Sequence, residues 1–591
     1  MMFLVASSDA CAKTLYLKPN SNWKIDNARF AVYAFGSGDA WYSMTAVPNN
    51  AGYYQTTVDD KYPQVIFCRM NPAKSENNWN GDTKWNQTQD MTVTAGKDLC
   101  LITEGTWDNN GTWSVYGDEE AGVDPDPITP SDYESAVPNQ CMDVMLQAFY
   151  WNSDKDNTYG TSKWTVLQSQ ASEINQYFQL VWLAPSCYSQ TNSMGYLPKQ
   201  YSKQKNSMGN EEELRALIGA LHAGGTRVVA DVVINHASNL SGWVNFFEMD
   251  FGEYGKFSPQ SSWITHNDEA STEEGGKYAS QLGPNNDDGQ NGSDANYPSA
   301  RDWDHMNAGV QEMCKAYLKF LKNTIGYDGF RFDYAGGYNV SHTRDYLAAS
   351  KPYFSVMEYW NGDPNHLKAR IDDARKSTLT FDFAAYYTAL RDGIAKNNYD
   401  KCKSAGLRGK GYSKYAVHFV DNHDTFNRNG QYDNPDVGGS KDGYTTLHNR
   451  ALMLQCNAYI LAMPGVPCVF WPHWYTYKTE IKKMIEARKK AGIHSESTIE
   501  ETSGSGWYKA TVHGKAGNVI LYLGSAASEA APSGYKTAIK EDKVAMYYTG
   551  EGWEDVERVI VAPKSEKYLK DGQLYIRRGE KIYDAQGRSV K

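Results

Sequence analysis

Eight short apolar runs recur through the middle of the chain: Val144–Tyr150, Leu180–Ala184, Arg227–Ile234, Gly329–Asp333, Phe354–Glu358, Leu379–Phe383, Tyr415–Val420 and Val466–Phe470. Most of the gaps between them carry helical apolar spacing, at Glu211–His222, Val310–Asn323, His342–Ala349, His366–Ser377, Tyr387–Lys396 and Thr446–Cys456. A strand buried on both faces reads as a continuous apolar run, and alternation with helices implies parallel pairing under a helical cover. Eight such units in one stretch predict an α/β fold, a closed parallel (β/α)8 barrel. A doubly wound open sheet is the competing architecture.

One interval breaks the rhythm. Asp231 and Asp333 lie 102 positions apart, against roughly 30 residues per unit in a barrel of ~250 residues. The excess, His236 to Asp304, is rich in Gly, Asn, Ser and Asp with poor periodicity. It is expected to form an extra small domain on the face where barrels do chemistry. Before the barrel, residues 13–117 hold short strand-like pieces (Lys13–Leu17, Ala28–Phe35, Gln64–Cys68, Met91–Val93, Thr112–Tyr116) separated by turns, the pattern of a β-sandwich. Residues 118–137 are acidic, Pro-containing and apolar-poor at their start and read as a linker. The barrel then spans 138–235 and 305–497, interrupted by 236–304. Residues 498–591 read as an antiparallel β domain with strands at Gly506–Val512, Val519–Gly524, Lys543–Thr549 and Arg558–Ala562, followed by a terminal hairpin.

Composition excludes several classes. Lys+Arg 59 against Asp+Glu 70 leaves a net charge of −11, so no global field attracts nucleic acid. No run approaches the ~18 apolar residues of a membrane helix, and a monomer without transmembrane segment is expected. The nine cysteines are scattered, with no C-x-x-C spacing, and read as buried small hydrophobes rather than a disulfide frame or zinc site. The start of the chain has a short apolar run ending in Ala10-Cys11-Ala12. It resembles the back half of a secretory signal, which makes residues 1–12 a signal remnant and the protein secreted, cell-surface or periplasmic. A lipid anchor on Cys11 is the less supported variant.

Barrel enzymes carry reacting groups at the C-terminal ends of strands. The third run holds Asp231 and ends in Asn235-His236; the fourth places Arg331 and Asp333 on one face; the fifth ends in Glu358; the seventh ends in His423-Asp424. Glycosidic cleavage through an oxocarbenium-like transition state needs one carboxylate and one carboxylic acid. Neighbouring strands lie about 4.8 Å apart, so Asp333 and Glu358 are expected to approach the ~5–5.5 Å of retaining enzymes. Arg331 keeps Asp333 ionised, while Met357, Tyr359 and Trp360 desolvate Glu358 for acid work. The competing reading is an Arg–Asp ion pair and a strand-terminal Glu with structural roles only.

The segments Asp231-Val-Val-Ile-Asn-His236, Gly329-Phe-Arg-Phe-Asp333, Glu358 and Phe419-Val-Asp-Asn-His-Asp424 resemble the four ordered regions of the α-amylase superfamily, glycoside hydrolase family 13. The likeness spans roughly residues 140–480. Met145-Leu-Gln-Ala-Phe-Tyr-Trp151, Asp302-Trp-Asp-His-Met-Asn307 and Asp333-Tyr-Ala-Gly-Gly-Tyr338 look closest to plant-type and bacterial members. The resemblance implies retaining endo-hydrolysis of α-1,4-glucosidic bonds, with Asp333 as nucleophile, Glu358 as general acid/base and Asp424 as the third carboxylate. It further implies that His236 and His423 donate to the glucose at the cleavage point, that Arg331 orients Asp333, and that Tyr196 stacks on the sugar.

The same resemblance implies Ca2+ held by the Asn235 side chain, Asp302 and the carbonyl of Gly337. The chain departs from the family at Gly336, where many relatives carry a basic residue, which bears on product pattern. The amino-terminal module resembles small starch-binding sandwiches, with Trp79 and Trp85 as accessory glucan contacts. Tryptophans in the sandwich core are the plainer alternative for each ring. A 4-α-glucanotransferase, or a non-catalytic glucan-binding protein, stays open beside the hydrolase.

Overall fold

The computed structural model describes residues 12–47, 52–94, 96–103, 106–116, 136–289, 299–426, 447, 449–552, 566–570, 573–578 and 581–584. Residues 1–11 of the expected leader, most of the expected linker and the expected strand Arg558–Ala562 lie outside these. The chain separates into two compact units: residues 1–134 with 288–294 and 337–339, and the remainder.

In the second unit all eight expected runs form strands: β1 (Met145–Gln147), β2 (Leu180–Leu183), β3 (Arg227–Val232), β4 (Gly329–Phe332), β5 (Phe354–Met357), β6 (Leu379–Phe381), β7 (Ala416–Phe419) and β8 (Val466–Phe470). They pair in chain order, and β8 closes on β1 to complete a parallel barrel. Every residue of β4 and β5 is buried, which is why these segments had to be apolar except where a polar side chain finds a partner. One register matters most for chemistry: Asp231 of β3 lies opposite Arg331 of β4.

The helices follow local capping rules. Glu211–Ala223 starts with a capping box between Asn210 and Glu213. Ala308–Phe320 starts on Asn307, Pro364–Asp373 on Asp363 with Pro at its first position, and Arg450–Ala462 on Asn449. Three points differ from expectation. The helix Trp164–Tyr177 between β1 and β2 was not expected from a segment that is mostly polar. It holds its place by burying Trp164, Leu167, Ala171 and Ile174 on one stripe. The end of the expected helix Val310–Asn323 winds into a π turn, Leu321–Ile325, that closes at Gly326 (φ 110°). The expected helix Tyr387–Lys396 is a π turn, Tyr386–Arg391, followed by a 3-10 turn.

The long insertion after β3 contains two short antiparallel pairs, His236–Ala237 with Arg301–Asp302 and Met249–Asp250 with Lys256–Phe257. Its own small core is Val244, Ile264, Ala270, Tyr278 and Leu282. After the barrel, an antiparallel sheet orders its strands Thr498–Gly504, Trp507–His513, Asn518–Gly524, Val544–Tyr548, Lys536–Glu541. A three-stranded antiparallel sheet follows at Glu566–Lys570, Gln573–Arg578 and Lys581–Asp584.

The first unit contains two sheets. One orders Gly111–Ser114, Leu99–Ile102, Ala12–Lys18, Tyr54–Asp59 and Thr45–Ala46; the other is built on Asp39–Ser43, Arg29–Phe35, Gln64–Met70 and Lys84–Gln87. Leu15, Leu17 and Val58 from the first pack with Phe30, Val32, Val65 and Phe67 from the second in one core that includes Trp23. Two sheets sharing one core make the expected sandwich. The eight described cysteines are buried and unpaired to one another.

Candidate active site

Arg331 organises the mouth of the barrel. It is fully buried, and a guanidinium with five fixed donors can serve several carboxylates at once. Its Nη1 donates to Asp231 Oδ1 at 2.8 Å and to Asp333 Oδ1 at 2.6 Å. Its Nη2 lies 2.6 Å from Glu358 Oε1. The carboxyls at the ends of β4 and β5 are thereby joined through one guanidinium.

Backbone geometry fixes Glu358. Its N–H donates to Phe332 O at 2.9 Å and its carbonyl accepts from Ala335 N at 3.0 Å, while Oε2 accepts from Tyr334 N at 3.0 Å. The side chain is 8% exposed. Burial, then the charges of Asp333 and Asp424, push its carboxyl up to about 8, against the opposing pull of Arg331 and the Tyr334 N–H. A carboxyl so placed holds its proton at neutral pH.

Asp231 is the residue whose function the sequence did not assign. Tyr196 donates its hydroxyl to Asp231 Oδ2 at 2.7 Å and Trp182 donates Nε1 at 3.0 Å. Burial first, and then Asp333, raise the Asp231 carboxyl to about 7, opposed by Arg331 and Tyr196. A single acid inside a mostly apolar strand is the legible signal for such a role; the amide Gln147 is a comparable polar residue in β1.

The ring of Tyr196 stacks on that of His423, 5.0 Å between centroids and 8° from parallel. Trp151 lies nearly parallel to both, at 6.0 and 6.3 Å. Gln147 Nε2 lies 3.0 Å from His423 Nδ1. The other ring nitrogen, Nε2, is 3.1 Å from Asp424 Oδ2. Asp424 is the most open of the three acids, its side chain 34% exposed.

His236 directs Nε2 at the backbone carbonyl of Tyr196, 2.9 Å away. That N–H, expected to serve a sugar, is placed so as to hold the Tyr196 backbone. The adjacent Asn235 presents its amide to Asp302 Oδ1 at 3.3 Å.

Asp268, Glu269 and Asp302 form an acidic cluster whose ligand atoms lie within 4.8 Å of one another. Within it Asp268 is committed elsewhere: one oxygen takes Ala270 N and the buried Arg301, the other takes Asp302 N at 2.8 Å. Asp302, Glu269 and the Asn235 amide are the oxygen donors of a type that suits a hard cation. Gly337 is grouped with Tyr338 and Asn339 in the first unit, where Asn339 N donates to Asp288 Oδ1 at 3.2 Å.

On the amino-terminal sheets, Trp79 is 43% exposed and packs against Trp41 at 4.8 Å and Tyr33 at 4.9 Å. Trp85 lies instead over Arg69 at 4.6 Å. The two accessory candidates therefore belong to different groups. No helix among the described residues is long and apolar enough to cross a membrane.

Comparison with known proteins bears on this site. Residues 177–471 match the family model described as the alpha amylase catalytic domain. "Probable alpha-amylase 2" of Arabidopsis thaliana is 30% identical over 381 residues, covering 60% of this chain and 82% of that protein. "Alpha-amylase 3, chloroplastic" of the same plant is 27% identical over 379 residues, 38% of its own length. "Glucan 1,4-alpha-maltotetraohydrolase" of Roseateles saccharophilus is 27% identical over 423 residues, covering 65% of this chain and 68% of that protein.

Proposed function

The chain belongs to the alpha-amylase catalytic-domain family, and from that premise we propose that it hydrolyses internal α-1,4 bonds of starch-like glucans with retention, using Asp333 and Glu358. The observation that carries the assignment is the single buried guanidinium of Arg331 bonded to Asp333 and paired with Glu358 on adjacent strand ends.

The chemistry follows from the two environments. Asp333, bonded to Arg331, is the carboxylate that attacks the anomeric carbon and forms a glycosyl ester. Glu358, protonated, gives its proton to the departing glycosidic oxygen. It then takes a proton from the incoming water as that water attacks the anomeric carbon and breaks its bond to the Asp333 oxygen, freeing Asp333 and restoring the acid. Asp424, beside His423 Nε2, is the group placed to accept sugar hydroxyls, and the partly exposed rings of Tyr196 and Trp151, Tyr196 backed by His423, offer flat faces to the ring being cleaved. His236 keeps Tyr196 in position through its carbonyl.

Ca2+ is proposed at the Asn235–Asp302 pair, with Glu269 nearby, where a half-turn of the Asn235 amide presents oxygen. A cation there would supply electrostatic cross-linking between the β3 loop and the strand Arg301–Asp302. The exposed Trp79, with Trp41 and Tyr33, supports an accessory glucan contact that raises the local concentration of polymer.

Digestion of soluble starch with analysis of chain lengths and new reducing ends tests the reading. Release of mid-length maltooligosaccharides with rising reducing ends is the expected result. Disproportionation of maltooligosaccharides without net reducing ends would instead favour the glucanotransferase, and binding without cleavage would favour the non-catalytic alternative.

A further inference from the structure

Arg69 is an arginine inside the amino-terminal sandwich whose partners are all fixed. Its side chain is 4% exposed. Nε donates to Trp23 O at 3.1 Å, and Nη2 donates to Ile25 O at 2.9 Å and Asp26 Oδ2 at 2.6 Å. Over this pinned plane lie two indoles, Trp85 at 4.6 Å and Trp107 at 5.5 Å. Guanidinium–indole stacking of this kind holds rings in place.

Trp107 is nonetheless 42% exposed. Its ring does not close the core: Trp23 is capped by the Trp107 backbone carbonyl, which accepts from Trp23 Nε1 at 2.8 Å. The loop that carries it is tied at both ends. Asn20 Nδ2 donates to Thr103 O at 2.7 Å and Thr106 O at 2.8 Å, and the Asp108 carboxylate accepts Gln87 N at 2.9 Å and Asn86 Nδ2 at 3.0 Å. A large apolar ring set beside a guanidinium yet open to water suits a binding surface.

The placement differs from that of Trp79. In a strand, successive side chains point to opposite faces. Lys84 reaches toward the Trp79 ring, 5.6 Å away, whereas the next residue, Trp85, lies on Arg69. Arg69 shares its parity on the strand Gln64–Met70 with the core residues Val65 and Phe67, while Tyr33 and Trp41 pack with Ile66, Cys68 and Met70 on the other side. Among the described residues no ring contact joins the two groups.

We propose that Trp107 with Trp85, rimmed by Asp26, Asn86 and Asp108, is a second α-glucan platform on this module, stacking the apolar face of a glucose ring while the acids and amide take its hydroxyls. It rests on the accessory glucan-binding reading given above for Trp79. Two platforms on opposite sides of this sheet let one module hold two chain segments, or two chains, of a polymer.

The test is an adsorption isotherm on granular starch with the full chain carrying Asp333→Asn, so that the granule is not digested, compared with Trp107→Ala, Trp79→Ala and the double change. The expected result is a loss of apparent affinity of about tenfold or more for each single variant, because bivalent attachment is lost, a further loss in the double, and recovery in Trp107→Tyr. Unchanged adsorption of Trp107→Ala beside a weakened Trp79→Ala would overturn this platform and leave the accessory reading standing. No adsorption by the parent, or parent-like adsorption by all three variants, would overturn the accessory reading itself. A loss in Trp107→Ala that Trp107→Tyr does not restore would assign Trp107 a purely structural role and also overturn the platform.

Discussion

Tyr334 donates its backbone N–H to Oε2 of Glu358 at 3.0 Å, and it does so from a left-handed backbone conformation, φ 42°. The residue directly after Asp333 thus turns the chain back so that its amide meets the acid on the neighbouring strand. Such a conformation costs a non-glycine residue of order 1–3 kcal/mol and persists where the surroundings enforce it. Glycine adopts it freely and keeps the amide donor, whereas a β-branched residue resists it.

Tyr334→Gly is therefore expected to keep kcat within about threefold of the parent, and Tyr334→Val to lower it by about tenfold or more. Steady-state kinetics on a soluble maltooligosaccharide check both, with melting curves to separate folding from turnover. Equal kcat in the two variants would show that the turn does not position Glu358.

The protonation of Glu358 gives a pH prediction. Its carboxyl is raised from 4.5 to about 8, by burial first and then by Asp333 and Asp424. The acid form is the working one, so kcat/KM should fall as pH rises through about 8. For stability the sign is the same. Between about 4.5 and about 8 the folded state keeps a proton that the unfolded state has released, so stability declines as pH rises across that window. Glu358→Gln should lose turnover by orders of magnitude, and its Tm should fall less than the parent's over this range. Parallel melting curves for the two proteins would contradict the assignment.

Asp231 holds both Arg331 and the Tyr196 hydroxyl. Replacing it by Asn removes a negative charge near the acid pair and frees Arg331 to favour Asp333 and Glu358. The alkaline limb of kcat/KM should then move to lower pH, with kcat down about tenfold to a hundredfold and stability down by about 1–3 kcal/mol. A loss of stability with an unmoved pH profile would reduce Asp231 to a structural role.

Chelation should lower the Tm, because a ligand bound only to the folded state at a hundredfold over its Kd contributes about 2.7 kcal/mol. In Asp302→Asn the chelator should no longer matter. An unchanged melting curve of the parent in chelator would count against the Asn235–Asp302 site.

The barrel was legible because parallel strands buried on both faces cannot hide: β3 and β8 are apolar nearly throughout, and among the polar residues of the strands Asp231, Arg331 and Gln147 find partners at the mouth, while Ser355, Thr380 and His418 bond elsewhere. The helix Trp164–Tyr177 was less legible, since four buried positions are spread over fourteen mostly polar residues and no side chain caps its start. In the sandwich, Tyr54–Asp59 alternates weakly and Leu99–Ile102 is short, so both strands depend on neighbours rather than on their own pattern. At the site, strand ends named Asp333, Glu358 and His423. The sequence did not reveal that His236 faces the Tyr196 carbonyl or that Trp79 and Trp85 belong to different aromatic groups, because both depend on loop paths that residue spacing leaves open.

The central claim is double displacement across Asp333 and Glu358, and proton NMR of the first products formed from a maltooligosaccharide tests it most directly. Newly formed reducing ends appearing as the α-anomer, with the β-anomer growing in only later by mutarotation, are expected from attack by Asp333 on one face followed by water on the opposite face, the one the leaving group has vacated. Initial appearance of the β-anomer would mean a single displacement by water and would contradict the role given to Asp333.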